Sequence, residues 1–97
     1  MNVIEQIKQR LQSLSPLEME IGDDSALHAG HAGARSGGGH YDLRIVSNAF
    51  AGKNTVSRHR MIYQALGEMM RGQIHALAIH AQTAEEASMQ PTNKEHR

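Results

Sequence analysis

The sequence of 97 residues contains no cysteine. This absence is typical of a reducing compartment and excludes disulfide bonds, thiolate nucleophiles and metal sites made from the chain's own thiolates. No apolar run approaches the roughly 18 residues of a membrane-spanning helix, so no membrane partner is expected. The N-terminal segment reads as an amphipathic helix rather than a signal peptide, which predicts a cytoplasmic location.

Aromatic residues and net charge are also scarce. Tyr41, Phe50 and Tyr63 are the only aromatic residues apart from histidine, and ten acidic side chains balance ten basic ones. Three rings are too few for a platform on which bases stack, so Phe50 and Tyr63 are expected to be packing residues. Zero net charge argues against a dedicated binder of phosphate backbones. Nucleic acid stays a minority hypothesis because residues 48–97 contain six basic and four acidic side chains.

Enzyme motifs are missing as well. The sequence has no Ser-His-Asp arrangement, no glycine-rich phosphate loop at P-loop spacing and no paired carboxylates on adjacent turns that face a pocket. Glu18 and Glu20 share one face of a predicted strand, where alternate positions more often face solvent. The sequence therefore predicts a protein without enzymatic activity.

Apolar residues at helical spacing predict three helices. The first ends before Pro16. The second is expected to start at a Ser57 cap, to contain Gly67 and to end at Gly72. A capping-box pattern at residues 83–86 opens a short last helix.

Alternating patterns predict strands at residues 17–21 and 41–46, and a nearly continuous apolar strand at 74–81. The first strand should present Leu17, Met19 and Ile21 on one buried face. A strand, a helix and a strand in succession favour a right-handed parallel crossover, while the first two strands can pair antiparallel. The predicted fold is a single small α/β domain of the α+β type, with order α-β-β-α-β-α and a three-stranded mixed sheet that carries its helices on one face.

Histidine and glycine are concentrated in one stretch, since residues 28–40 hold three of the seven histidines and five of the nine glycines. They belong to a connection predicted at 22–40, and loops of this length are usually functional or disordered. We expect it to be flexible. Its His28 and His31 are three residues apart, a weak metal signal by itself. Residues 89–97 are predicted to be a disordered polar tail, which leaves a domain at 1–88.

Three motifs, in this order, resemble the core signature of BolA-like proteins. They are Val46-Ser47-x-x-Phe50-x-Gly52, Arg58-His59-Arg60-Met61-Ile62-Tyr63 and Ile74-His75-Ala76-Leu77-Ala78-Ile79. The similarity covers about residues 1–88 and implies a fold similar to the class II KH topology. Two features differ from the family pattern: Gly39 stands where many members have serine before the histidine, and the loop is longer than in several relatives.

The resemblance implies a non-enzymatic adaptor that binds a monothiol glutaredoxin and takes part in the assembly, trafficking or sensing of [2Fe–2S] clusters. The cluster would be shared with glutaredoxin and glutathione, and the chain alone would hold none. By position, the histidine ligands would be His75 in the last strand and His28 in the loop, with His31 as a substitute. The alternative is a DNA-binding transcriptional regulator of stress or morphology genes that uses its KH-like surface. Whether the chain forms a weak homodimer stays open.

The residues leave the role of His75 open. Two imidazoles can replace two thiolates on one iron, as in Rieske centres. In a regular strand, however, His75 lies on the same side as Leu77 and Ile79, where a histidine is more often structural than a ligand.

The positions expected to contact a partner or nucleic acid are Lys53, Arg58, His59, Arg60 and Arg71. Residues 58–60 should occupy the first turn of the second helix, where positive charge is unfavourable against the helix dipole. These side chains are either exposed or paired with Asp42, Glu68 or carbonyls, or they bind phosphate or an acidic partner. The predicted second helix and the turn before it contain no Gly-x-x-Gly clamp of the kind that KH modules use, which favours a protein partner.

Overall fold

The computed structural model describes residues 2–24 and 39–89. Within these ranges the helices and strands are α1 (Val3–Leu11), β1 (Glu18–Asp23), β2 (Gly39–Val46), α2 (Thr55–Leu66), β3 (Ile74–Gln82) and α3 (Ala84–Met89). The 3₁₀ segments are Gln12–Leu14, Asn48–Phe50 and Gly67–Arg71. The predicted order of elements is confirmed. No helix in the described ranges is long and apolar enough to cross a membrane.

Both strands that flank the predicted loop are longer than expected, since β1 continues to Asp23 and β2 begins at Gly39. The backbone N–H of Asp24 donates to the carbonyl of His40 and extends the pairing by one more bond. The loop bounds of 22–40 are therefore too wide. The predicted flexibility of the remaining loop and of the tail concerns residues outside the described ranges, so both stay predictions.

Helix α1 begins at a complete capping box. The Asn2 side chain accepts a hydrogen bond from the Glu5 backbone N–H at 2.8 Å, and the Glu5 carboxylate accepts one from the Asn2 backbone N–H at 3.2 Å. The apolar stripe of this helix places Ile7 and Leu11 in the core, where both are fully buried. Ser15 adopts a left-handed conformation with φ of 51° just before Pro16, which ends the helical segment.

The sheet has the predicted mixed topology, with strand order β1-β2-β3. Strand β1 pairs antiparallel with β2, and β2 pairs parallel with β3. Leu43 in the central strand lies opposite Ile21 of β1 and Ile79 of β3. Central strand residues are therefore covered on both edges, which agrees with the 1 % exposure of Leu43.

The core lies between one face of this sheet and helices α1 and α2. Its buried members are Ile7, Leu11, Tyr41, Leu43, Ile45, Phe50, Ile62, Leu66, Met69 and Ile74. Met19 and Ile21 pack against them as predicted. Leu17 does not, because strand pairing starts one residue later and Leu17 is 58 % exposed. That part of the predicted face is wrong.

Helix α2 begins three residues earlier than predicted. Its N-cap is Asn54, whose side-chain oxygen accepts a hydrogen bond from the Ser57 backbone N–H at 2.8 Å. The prediction of a Ser57 cap is wrong because asparagine is an equally good cap. Residues 58–60 therefore lie in the second turn, where the repulsion between positive charge and the helix dipole is weaker.

Gly67 ends helix α2, instead of lying inside it. Its φ of 57° and ψ of −127° are strongly unfavourable for residues with a β-carbon, and an added β-carbon would lie 3.3 Å from Nη1 of Arg10. The Arg10 guanidinium is fixed there by donating to the Leu66 carbonyl at 3.2 Å. We expect Gly67→Ala to lower the free energy of unfolding by about 1–3 kcal/mol in urea titrations.

Gly22→Ala is the matched control for this substitution. Gly22 has no positive φ, and its added β-carbon would meet Asp42 at an ordinary contact distance of 3.7 Å. We expect its effect to stay within about 0.5 kcal/mol. Equal losses for the two alanine variants would contradict the assignment of Gly67 as a conformational requirement.

Candidate functional site

His75 lies at an irregularity in the pairing of β2 with β3. Gly39 pairs with Ile74, but the next residue, His40, pairs with Ala76, so that His75 is an extra residue on its strand. A bulge of this kind sets two residues against one and redirects a side chain.

The shift changes the face on which His75 lies. Ile74 is buried in the core, and Leu77 and Ile79 pack against the same core from further along the strand. Ile74 and Leu77 are three residues apart and both contact the core, so the side chains of β3 do not alternate strictly between the two faces of the sheet. His75 itself is exposed. The prediction that it shares a face with Leu77 and Ile79 is wrong, and with it the main argument for a structural histidine.

A second imidazole lies beside His75. The ring centroids of His40 and His75 are 5.1 Å apart, and the ring planes are inclined by 46°. His40 is half-buried at the start of β2. Neither this pair nor a role for His40 was predicted from the sequence. The available signal was the parallel pairing, because residues at the starts of two parallel neighbours meet at the same end of a sheet.

The loop histidines lie outside the described residues, so the assignment of His28, or of His31, as a ligand stays a prediction. Among residues 2–24 and 39–89, no group of three or more histidine or acidic side chains is arranged to hold a metal ion. This part of the chain therefore offers two neighbouring imidazoles and needs ligands from elsewhere to complete a site.

The Arg58 side chain is held in place by hydrogen bonds to other parts of the fold. Its Nε donates to the Lys53 carbonyl at 2.8 Å, and Nη1 donates to the Ala81 carbonyl at 3.0 Å. The same guanidinium makes a two-point contact with the Glu86 carboxylate, at 2.6 and 2.9 Å, and lies 5.9 Å above the centre of the Phe50 ring. The side chain is only 12 % exposed. These contacts match the interpretation that Arg58 pairs with carbonyls, although its carboxylate partner is Glu86 and not Asp42 or Glu68.

Glu86 also completes the capping box that the sequence predicts for the last helix. Its carboxylate accepts a hydrogen bond from the Thr83 backbone N–H at 3.0 Å, and its own backbone N–H donates to the Thr83 hydroxyl at 3.1 Å. The hydrogen bonds from Arg58, and then that from Thr83, lower the pKa of Glu86 from 4.5 to about 2. One carboxylate thus links α3, α2 and the end of β3.

The other basic candidates do not form one patch. Lys53, Arg60 and Arg71 are exposed. Lys53 precedes α2 and Arg71 follows it, so the 12-residue helix, about 18 Å long, separates them. His59 is half-buried, and its ring lies 6.5 Å from that of Tyr63. Tyr63 is itself 42 % exposed, so the expectation that it packs in the interior is wrong.

The sheet face opposite the helices is predominantly acidic. It holds a shallow depression of about 610 Å³ lined in part by Glu20, Asp42, Arg44 and His80. The guanidinium of Arg44 is 3.2 Å from the Glu18 carboxylate, and this ion pair offsets the positive charge of Arg44. Negative charge on this face disfavours contact with a phosphate backbone.

The family model described as BolA-like protein matches residues 11–86. The chain belongs to the BolA-like family. The fold agrees: the BolA domain of SufE1 from Arabidopsis thaliana superposes with a TM-score of 0.74 and 41 % identity, covering 89 % of this chain and 98 % of that one. BolA1 from the same plant gives a TM-score of 0.75 and 39 % identity, covering 89 % of this chain and 96 % of that one.

Among full-length relatives, the Escherichia coli protein named DNA-binding transcriptional regulator BolA is 37 % identical over 87 residues, which are 89 % of this chain and 80 % of that protein. SufE-like protein 1 of A. thaliana is 45 % identical, but the match covers 82 % of this chain and only 23 % of the plant protein. BOLA1 of A. thaliana is matched over 56 % of its length. The two plant proteins carry chloroplastic or mitochondrial names, so the cytoplasmic location of this BolA-like chain stays a prediction.

Proposed function

We propose that this BolA-like chain is a cytoplasmic, non-enzymatic adaptor that binds a monothiol glutaredoxin and supplies His75 as a ligand to a [2Fe–2S] cluster shared between the two proteins. The exposed position of His75 on a strand carries this proposal. A side chain that binds a cluster held by another protein has to be exposed to solvent. A strand also holds such a side chain in position more firmly than a loop does. Family membership supports the choice of partner.

The chemistry of the chain is compatible with this role. Without cysteine, the chain can contribute no thiolate ligand. Glutaredoxin and glutathione would supply thiolates, and imidazole from this chain would complete the remaining positions, where it raises the reduction potential of a cluster. The chain would therefore influence both the lifetime and the potential of the shared cluster.

DNA binding is the second candidate because relatives from E. coli and Vibrio cholerae are named as DNA-binding transcriptional regulators. Among the predicted contact residues, Lys53, Arg60 and Arg71 are exposed and could meet phosphate. Their separation and the acidic sheet face make this the weaker proposal for this chain. Phosphate contacts would show as DNA affinity that falls steeply with rising salt concentration.

Co-purification with a monothiol glutaredoxin under anaerobic conditions, with iron, sulfide and glutathione present, tests the first proposal. We expect a coloured complex whose visible absorption differs from that of the glutaredoxin homodimer. In His75→Ala, this spectrum should be lost or its lifetime shortened by about tenfold or more.

His80→Ala is the control for this experiment. His80 lies on the same strand and is also exposed, but it lies five residues further along. We expect this variant to keep the wild-type spectrum. Two outcomes would contradict the proposed function. Either the wild-type chain forms no coloured complex, or His75→Ala leaves the spectrum and lifetime of the complex unchanged.

A further inference from the structure

We infer that the outer edge of strand β3, the side that faces away from β2, is a contact surface for a second copy of this chain, together with the exposed stripe of helix α2 beside it. The two β3 strands pair antiparallel around Ala78 and join two three-stranded sheets into one sheet. This inference goes beyond the proposed function and does not depend on it.

Strand β3 lies at one edge of the sheet, since the part of the chain that the structure describes forms no strand beyond it. The Gln82 carbonyl accepts a hydrogen bond from the backbone just after β2, whereas the Ala81 carbonyl accepts one from Arg58. Successive residues of a strand direct their backbone groups to opposite sides. The N–H and C=O groups of Leu77 and Ile79 therefore point away from β2, towards the position of an added strand.

The two edge strands of the sheet differ in their protection against pairing. Charged side chains commonly prevent an exposed edge from pairing with another chain. Residues 18–24, at the β1 edge, include four acidic side chains. Strand β3 has nine residues and contains no carboxylate, lysine or arginine side chain. Its register shift lies at His75, so the pairing from Ala76 onwards is regular. The edge of β3 is therefore suited to accept a strand.

Exposed apolar side chains lie on the same side of the molecule as this edge. Thr55 and His59 of α2 line a cavity of about 180 Å³ together with residues 79–81 of β3, so this side of the helix borders the edge. Val56 and Tyr63 lie three residues before and four residues after His59, which places them on the same helix face. Both are exposed, Val56 by 61 %. A second copy that pairs with β3 brings its own α2 towards them.

The side chains of β3 favour its own sequence as the partner. When Ala78 lies opposite Ala78 of the second copy, Leu77 lies opposite Ile79 of that copy, an apolar cross-strand pair on the core side. On the other face, His80 lies opposite Ala76 of the second copy, so that a ring meets a methyl group and not another ring. One strand and one helix face make a small contact, which indicates a weak and reversible dimer.

Single cysteine variants test the register, because the chain has no cysteine of its own. At the two-fold position of an antiparallel pair the Cα atoms are about 4.5 Å apart, within the range of roughly 4.4–6.8 Å that a disulfide spans. We expect Ala78→Cys to form a disulfide-linked dimer when oxidised glutathione accepts the two electrons. Electrophoresis without reductant measures the yield.

Ala76→Cys is the matched control for this experiment. Ala76 is also an exposed alanine of β3. In the proposed register, Ala76 of one copy and Ala76 of the other are offset by four residues, or about 14 Å, which is too far for a disulfide. We expect little linked dimer from this variant. Equal yields from the two cysteine variants, or no linked dimer from Ala78→Cys, would overturn the register.

Sedimentation equilibrium of the chain without cysteine tests the dimer itself, from about 10 µM to about 1 mM. We expect a monomer–dimer equilibrium whose Kd rises about tenfold or more in Ala78→Lys, because like charges then lie opposite each other. A mixture of the Ala78→Lys and Ala78→Glu chains should form the dimer again. Ala78→Gln is the uncharged control and should bind more tightly than Ala78→Lys.

Three outcomes would overturn the inference. The chain could stay monomeric at all these concentrations, or Ala78→Lys could leave the Kd unchanged, which would locate the contact elsewhere. In the third outcome the chain is monomeric and Ala78→Lys prevents the coloured complex with glutaredoxin, so that the edge binds a different protein. The sedimentation measurement uses this chain alone, so a failure of the proposed function leaves its result valid.

Discussion

Replacing Phe50 with alanine is expected to lower the free energy of unfolding by about 3–5 kcal/mol. Phe50 is fully buried and belongs to the core cluster with residues of both main helices and of the central strand. Removing the ring leaves a cavity that the surrounding elements fill only in part. Small domains are stable by only about 5–15 kcal/mol, so the variant should be close to unfolding at room temperature. Urea unfolding followed by circular dichroism measures the loss.

Tyr63→Ala is the control for aromatic truncation. Tyr63 is 42 % exposed, and its replacement should cost less than about 1 kcal/mol. Phe50→Leu keeps much of the buried volume and should cost less than about 1.5 kcal/mol, which provides a folded variant for comparison. A loss for Phe50→Ala no larger than that for Tyr63→Ala would show that Phe50 is not a core residue.

Truncating Arg58 should have the second largest effect. We expect Arg58→Ala to lose about 2–3 kcal/mol, because hydrogen bonds to charged groups stabilise more than neutral ones and the Ala81 carbonyl is left without its donor in a partly buried place. The contact with the half-exposed Glu86 contributes less, since solvent screens it. The same urea titration at neutral pH checks this value.

Acid titration separates the Glu86 contribution from the rest. The pKa of Glu86 is about 2 in the folded chain, mainly because of Arg58, against 4.5 without these contacts. A depressed carboxyl pKa stabilises the fold fully above pH 4.5, and this contribution disappears as the pH falls towards 2. The unfolding free energy of the wild type should therefore fall more steeply over this range than that of Arg58→Ala.

Two variants show whether the stability loss in Arg58→Ala depends on the position of this residue or only on its charge. Arg60→Ala removes an exposed arginine two residues away and should change stability by no more than about 0.5 kcal/mol. Arg58→Lys keeps the charge but lacks the planar fork that meets a carboxylate and two carbonyls together, so it should recover only part of the loss. Full recovery by lysine would mean that charge alone explains the effect.

Most of the fold could be predicted because its determinants are local. Apolar spacing at Ile7 and Leu11 sets the buried face of α1, and alternation at Leu43 and Ile45 sets that of β2. Where two local signals competed, the prediction was wrong by a few residues. Asn54 and Ser57 are both good caps, and the choice between them depends on how the chain leaves the Asn48–Phe50 turn.

The site was less predictable because it depends on contacts between distant residues. The partner of Arg58 is 28 residues away, in a helix that sequence analysis did not connect with it. The whole crossover separates His40 from His75 along the chain, and only the parallel pairing of β2 with β3 brings their rings together. Spacing along β3 also predicted the wrong face for His75, because a strand pattern assumes regular alternation and contains no information about a register shift.

The amino-acid sequence by itself determined the element order, the mixed sheet, the BolA-like family signature and the exclusion of thiolate chemistry, because each follows from residue type and short-range periodicity. Only the tertiary structure decided that Arg58 is a structural residue, that Tyr63 is exposed and that His75 faces solvent beside a second imidazole. The physical reason is that burial and side-chain partners are set by register and by packing between elements, where a displacement of one residue changes the face on which a side chain lies.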